Sequence, residues 1–533
     1  MIRGGGMEEH NSLGKVSQSP TVPGKVHGRR KFDIADLYNK PVSTGEEKPG
    51  ESYGLDEKLR KAYFWVANYA IINPFCDIEY NETSPNRYVI GDNKTGLTLA
   101  TGQSYASFIL FPLLTLVTRK KCLLVGGPGR GKTSSAMIMG LLAGYSMKDI
   151  KRAVQHGQPQ MTVSDLLGNP LPSDMVNARS MDEIQIAWRR WLGMKVKIID
   201  EYNRIPARTQ SALLNVMSEN YAELLDQVYD CPEAAWYLTA NDDAGGGTYQ
   251  VIEALKDRID IVVSALHFNT RFLKDLLDRV ERGIKPEEMI PDEIIFTEEE
   301  IEQINREILE VEIPEKLMRR IEYFASQFEL LESGGEQFEY KTKDNVKLSG
   351  ESISQVMQGE TGKDQLKDLS YQTLNGLSVR AFMTCLTFIK ALAYFRGNEC
   401  ADFNDVRHIL PFVLHDKLAQ NSDSPFFEQP ENAVYKYDRI SWIRKLFDLS
   451  CAEYDRAGLD KKDPVGELLA SFTKGLDGVT ETEAAQKLQQ IEKMIGDISA
   501  GRKIYAPQFD DILTLKYLHQ RYTNYLSWLK WKK

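Results

Sequence analysis

Hydrophobic positions along this chain change period part-way. Apolar runs at Lys121–Val125, Val196–Asp200, Ala235–Ala240 and Ile259–Ser264 are nearly continuous rather than alternating. That is the pattern of strands covered on both faces of a parallel sheet. Lys197 interrupts one of them. Helical or glycine-rich stretches bound each run, so the chain from Thr101 to about Asn269 predicts an α/β fold, a mostly parallel sheet with helices on both faces. After Phe268 the spacing turns helical. Val379–Arg396 carries Val379, Phe382, Leu386, Ile389 and Ala393 on one face and is closed by Gly397. Thr297 and Glu300 have capping-box spacing, and Asp402 is placed to cap another helix running to Leu418.

These changes divide the chain. Residues 1–50 are rich in Gly, Ser, Pro and Lys and predict disorder. An N-terminal extension at 51–100 opens with a helix at Lys58–Ala70, which holds Tyr63, Phe64 and Trp65. The α/β unit covers 101–270. A helical lid follows at 271–420, with a Gly-, Ser-, Gln- and Lys-rich insertion or mobile loop at 332–373. Residues 421–533 read as further amphipathic helices.

Composition narrows the function classes. At 533 residues, 42% hydrophobic and 27% charged, the chain is an ordinary globular protein with several units. Its net charge of −10 argues against non-specific nucleic-acid binding, which needs cations to neutralise phosphates. The acidic run between Glu287 and Glu315 reads as a solvated helix face. Cys76, Cys122, Cys231, Cys385, Cys400 and Cys451 form no Cys-x-x-Cys pair and predict small buried hydrophobes in a reducing compartment. Phe108–Val117 is too short to span a bilayer and contains Pro112. Residues 1–50 hold no apolar run of the secretory kind, so a cytoplasmic protein with no membrane partner is expected.

The strongest chemical signal is Gly126-Gly127-Pro128-Gly129-Arg130-Gly131-Lys132-Thr133, which fits G-x-x-x-x-G-K-[ST] between a strand and a helix that continues through Ser134. Glycines let backbone N–H groups turn inward around phosphates, and the helix N-terminus adds positive potential. Lys132 can reach terminal phosphates, and the Thr133 hydroxyl can face Mg²⁺. Asp200 at the end of the Val196 strand supplies the carboxylate a magnesium site needs, and Glu201 beside it can polarise a water. Asn241 ends the next strand, where an amide can orient that water. Arg258 and Arg380 are candidate charge stabilisers, because a guanidinium grips phosphate oxygens and stays charged.

In this order the motifs resemble those of AAA+ ATPases. Asp200-Glu-Tyr-Asn-Arg-Ile-Pro-Ala-Arg-Thr-Gln-Ser-Ala-Leu-Leu214 is similar to the signature of the MoxR family of that class. Asn241, Gly247-Thr-Tyr249, Glu253-Ala254 and Asp257-Arg258 fall in the same register, Thr162–Asp174 resembles the family's segment after the P-loop helix, and Leu377–Leu418 resembles its small helical domain. Asp242 and Ile259 depart from its pattern. The resemblance implies an AAA+ P-loop core with an all-α lid and additional C-terminal helices. It implies Walker A roles for Lys132 and Thr133, Walker B roles for Asp200 and Glu201, sensor roles for Asn241 and Arg380, and a finger role for Arg258, with Arg204 and Arg208 as competitors. It further implies ATP and Mg²⁺ as cofactors and a homo-oligomeric ring, typically a hexamer. The client would be a protein, with a von Willebrand factor A domain protein as one class. A nucleic-acid motor such as a helicase or translocase is the alternative, opposed by the acidic charge.

Overall fold

The computed structural model describes residues 54–71, 75–80, 87–92, 95–99, 101–177, 184–241, 253–265, 270–283, 285–328, 330, 342–350, 352–358, 368–460, 463–501 and 504–532. The expectation for residues 1–50 and the Gly247–Tyr249 register fall outside them. At the centre is a five-stranded parallel sheet of β1 (Lys121–Val125), β2 (Gln155–His156), β3 (Val196–Asp200), β4 (Ala235–Ala240) and β5 (Ile261–Ser264), in the order β5-β1-β4-β3-β2. The registers Ser264↔Val125, Val125↔Ala240 and His156↔Asp200 bring the C-terminal ends of all five strands to one edge. In open α/β sheets that edge is where ligands bind.

The strands follow from their sequence. β4 is buried along its whole length, as its unbroken apolar run requires. Lys197 is the exception in β3. Its ammonium is buried, donates to the Met194 carbonyl at 2.6 Å and lies over the Trp236 ring. Burial pushes its pKa down to about 8.

The helices that matter for the site are α1 (Leu55–Trp65), α2 (Ser107–Thr118), α3 (Lys132–Leu142), α4 (Ala207–Ser218), α5 (Glu253–Arg258), α6 (Glu298–Glu310), α7 (Val379–Phe395) and α8 (Phe403–Leu414). α2 is buried on every side and lies against β1, β4 and β5. One apolar core joins one sheet face, α1–α3 and α6–α8. The opposite face packs Trp191 edge-to-face on Trp236, with α4 and Leu255. A separate core lies among three late helices, α9 (Pro464–Thr473), α10 (Glu481–Ser499) and α11 (Ala506–Lys532).

The N-terminal extension is tied to the helices that follow the sheet. Arg60 donates to the Phe395 carbonyl at 2.8 Å, and Lys58 pairs with Glu300 at 2.7 Å. The Tyr80 hydroxyl donates to Asp405 at 2.6 Å, and Arg396 grips both Asp402 (2.7 Å) and Asp405 (2.9 Å). His408 donates through Nε2 to the Glu79 carbonyl at 2.8 Å.

Some expectations change. The helix predicted over Lys58–Ala70 is α-helical only to Trp65; Val66–Ala70 is a wider π turn, closed by Ile71 N–H on the Val66 carbonyl. The Asp402 helix stops at Leu414 rather than Leu418. Within 332–373, described helices run over Lys343–Leu348 and Ile353–Gln358. Buried Lys343 is held there by Ser370 and Thr373 oxygens. The predicted Thr297–Glu300 capping box is present, and Asp402 caps its helix as expected, completing a box with Asp405 that was not predicted. Of the six thiols, Cys122, Cys231, Cys385 and Cys451 are buried, whereas Cys76 and Cys400 are exposed; none is in a disulfide.

Candidate functional site

The glycine-rich loop leaves β1 at Gly126 and enters α3 at Lys132. Gly126, Gly129 and Gly131 have φ of 148°, 72° and 75°, conformations that a side chain would strain. At Gly126 space is tight as well, because a Cβ would stand 3.0 Å from that of Ala265. Gly131 caps α3 in the left-handed conformation and turns the chain sharply into the helix. The Lys132 side chain, nearly buried, folds back over the loop. Its ammonium donates to the Gly126 carbonyl (2.6 Å), the Gly127 carbonyl (2.8 Å) and Asn241 Oδ1 (2.9 Å). Arg130 reaches the Ala265 carbonyl at the end of β5.

Next to the loop, one carboxylate oxygen collects two hydroxyls. Thr133 Oγ1 and Thr239 Oγ1 each donate to Asp200 Oδ1 at 2.7 Å. The other oxygen, Oδ2, lies 3.2 Å from His156 Nδ1 on β2. Thr133 and Asp200 therefore present two hard oxygen donors side by side, a donor set suited to Mg²⁺, which takes few protein oxygens and completes its shell with water and phosphate. Among the described residues no cluster of three or more His, Cys, Asp or Glu side chains could hold a metal by itself.

Glu201 takes a left-handed backbone with φ 53°, a strained conformation for a glutamate. Two contacts hold it there. Its N–H donates to Thr239 Oγ1 at 2.9 Å, and Gly157 packs so close that a Cβ there would lie 2.2 Å from the Glu201 carbonyl oxygen. The Glu201 carboxylate accepts from the Asn241 amide at 2.8 Å on Oε1 and pairs with Arg204 at 3.2 Å on Oε2. Lysine, amide and glutamate thus form one chain of contacts, Lys132–Asn241–Glu201, across the ends of β1, β4 and β3.

Two predicted residues lie apart from this cluster. Arg258, last in α5, donates through Nε to the Ser218 hydroxyl at the end of α4. Arg380, in the first turn of α7, pairs with Asp257 at 2.8 Å. Of the competing arginines, Arg204 is engaged with Glu201, and Arg208 is exposed on the first turn of α4. Two site residues are new. Thr239, a hydroxyl in an otherwise apolar strand, was legible in principle. His156 sits on a two-residue edge strand that leaves no hydrophobic pattern.

Residues 121–261 match the family described as "ATPase family associated with various cellular activities (AAA)". The chain carries an AAA-family ATPase domain. That domain binds nucleotide and hydrolyses ATP, and the matched residues run from β1 into β5, enclosing the P-loop, Asp200, Glu201 and Asn241. No curated protein matches the chain. Among solved structures, a Cytophaga hutchinsonii protein provisionally named an ATPase is 19% identical, with a TM-score of 0.44, covering 64% of this chain and 88% of its own. No described helix of the ATPase is long and apolar enough to cross a membrane.

Proposed function

We propose that this protein is a MoxR-like AAA+ ATPase that works as a homo-oligomeric ring, hexameric by resemblance, and uses MgATP hydrolysis to remodel or activate a protein partner. The observation that supports it best is the paired arrangement at the strand ends, with Thr133 and Asp200 sharing a hydrogen bond on one side and Glu201 and Asn241 sharing another beside the P-loop lysine. In this reading Gly126–Thr133, with Ser134 behind them, bind the phosphates, and Lys132 exchanges its loop carbonyls for terminal phosphate oxygens. Thr133 and Asp200 hold Mg²⁺, which when bound neutralises charge on the phosphates. Glu201 takes a proton from the attacking water, and Asn241 fixes the orientation of both.

Arg258 completes a neighbouring subunit's site; within its own chain its guanidinium donates to Ser218. Arg380 reads the nucleotide from the lid. Binding closes lid on sheet, and the partner is moved by its different affinity for the two states. A protein with a von Willebrand factor A domain is one candidate partner, on resemblance alone.

ATP turnover measured across a protein concentration series tests the ring. Specific activity should rise with concentration and collapse in Glu201→Gln and Arg258→Ala. Activity independent of concentration and surviving Arg258→Ala removes the shared-site reading. Failure to recover any stable protein partner on the ATP-held Glu201→Gln form removes the remodelling role.

A further inference from the structure

Beyond the sheet edge opposite β5 lies a cavity of about 520 Å³ that no P-loop residue lines. The residues that line it include Arg152, Arg189 and Arg190, together with His156, three glutamines and buried Trp191. In a chain of net charge −10, three arginines among the residues that line one cavity run against the overall balance. None of the three has an ion pair or a side-chain hydrogen bond among the described residues, in contrast to Arg320, Arg396 and Arg407, each held by a carboxylate.

The single carboxylate in the lining, Asp165, interacts electrostatically with Arg189 and offsets only one of the three charges. Asp165 is spent on a capping box, where its Oδ2 accepts from the Thr162 N–H at 3.0 Å and the Thr162 hydroxyl at 2.7 Å. Its pKa is lowered mainly by those two bonds, so it stays ionised and fixed in place. Three guanidiniums against one carboxylate leave an excess of two positive charges. Unpaired arginines in a concave site select anions, because the planar fork fits two oxygens of a phosphate or carboxylate at once. The volume falls within the roughly 300–1,000 Å³ of small-ligand pockets. A phosphate group concentrates close to two charges in one tetrahedron and fits this charge density better than carboxylates strung along a peptide.

We propose that this cavity is a second binding site, for a small phosphorylated anion held by Arg152, Arg189 and Arg190. Its occupant would touch His156, whose Nδ1 lies 3.2 Å from Asp200 Oδ2, so the site abuts the nucleotide site through one side chain. An effect on ATP turnover rests on the role proposed for Asp200; the binding itself does not.

The test uses the full chain with Lys132→Ala, which disables the P-loop, and titrates inorganic tripolyphosphate calorimetrically at low salt. One equivalent should bind. The affinity should fall about 10-fold or more when Arg189→Gln or Arg152→Gln is added, and binding should vanish with all three arginines replaced. These side chains are exposed, so the variants should melt with the parent. A parallel titration with ATP separates the two sources of the chemistry: tighter binding than tripolyphosphate means a nucleotide is read, weaker or equal binding means the phosphates alone. Absence of binding to the Lys132→Ala chain overturns the proposal, as does binding that survives loss of all three arginines. Neither result bears on the ATPase reading, which the P-loop variants of the otherwise native chain test separately.

Discussion

Arg380 and Asp257 form a 2.8 Å ion pair that ties the first turn of α7 to α5, one residue before Arg258. The same carboxylate accepts from Ser378 at 3.1 Å, and the Asp257 carbonyl accepts from Lys417. The two arginines proposed as charge stabilisers are therefore mechanically joined, one in the lid and one at the rim of the sheet domain.

Because the paired side chains are 47% and 38% exposed, the pair contributes little to folding. Asp257→Ala should lower stability by at most about 1 kcal/mol. Its effect should appear instead in turnover, through the release of Arg380 and the shift of α5. Denaturant melts and steady-state rates on the same sample distinguish the two. A large stability loss with unchanged turnover would refute the coupling.

Glu201→Gln keeps the length of the side chain and an acceptor for the Asn241 amide while removing the proposed base. Turnover should fall about 100-fold or more, with nucleotide affinity within a few-fold of wild type by equilibrium binding. Loss of binding in step with turnover would show that Glu201 organises the site rather than acting on water.

Asp200→Asn retains an acceptor for the Thr133 and Thr239 hydroxyls but removes the charge. The Mg²⁺ concentration needed for half-maximal ATP hydrolysis should rise roughly 10- to 100-fold. An unchanged magnesium requirement would place the cation elsewhere.

Arg396→Met strands a carboxylate that has no solvent exposure, Asp405, with only Tyr80 and its cap contacts left. Breaking a buried pair from one side costs about 3–5 kcal/mol. Tyr80→Phe, which removes one hydrogen bond from the same carboxylate, should cost about 1–3 kcal/mol. Urea midpoints rank the two.

Burial is the first cause that pushes the His408 pKa down, from 6.5 to about 4. The folded chain therefore holds this imidazole neutral while the unfolded chain protonates it, so between about pH 6.5 and 4 the unfolded state binds more protons. Stability must rise with pH across that window and be lost on acidification. His408→Gln should flatten this part of the stability profile, and an unchanged slope would mean that His408 charges without cost.

How much of this was visible in the sequence depends on how locally it is encoded. β1, β3 and β4 were legible because buried parallel strands need unbroken apolar runs, and the P-loop because phosphate cradling requires glycines at fixed spacing. The helix caps were legible for the same local reason. β2 was not: two polar residues at a sheet edge carry no period, and with β2 went His156. The Tyr80–Asp405 contact spans 325 positions, and Arg152 and Arg189 meet at one cavity from separate segments. Only the folded chain brings such pairs together.

The burial of α2 has a practical consequence. The stretch that matches the AAA family starts at residue 121, yet Ser107–Thr118, buried along its whole length, packs against three of its strands. A recombinant fragment cut at the homology boundary would leave that surface bare and should aggregate. A workable minimal fragment has to start upstream of Leu55 and extend past Leu414, so that the helices flanking the catalytic segment in sequence travel with it.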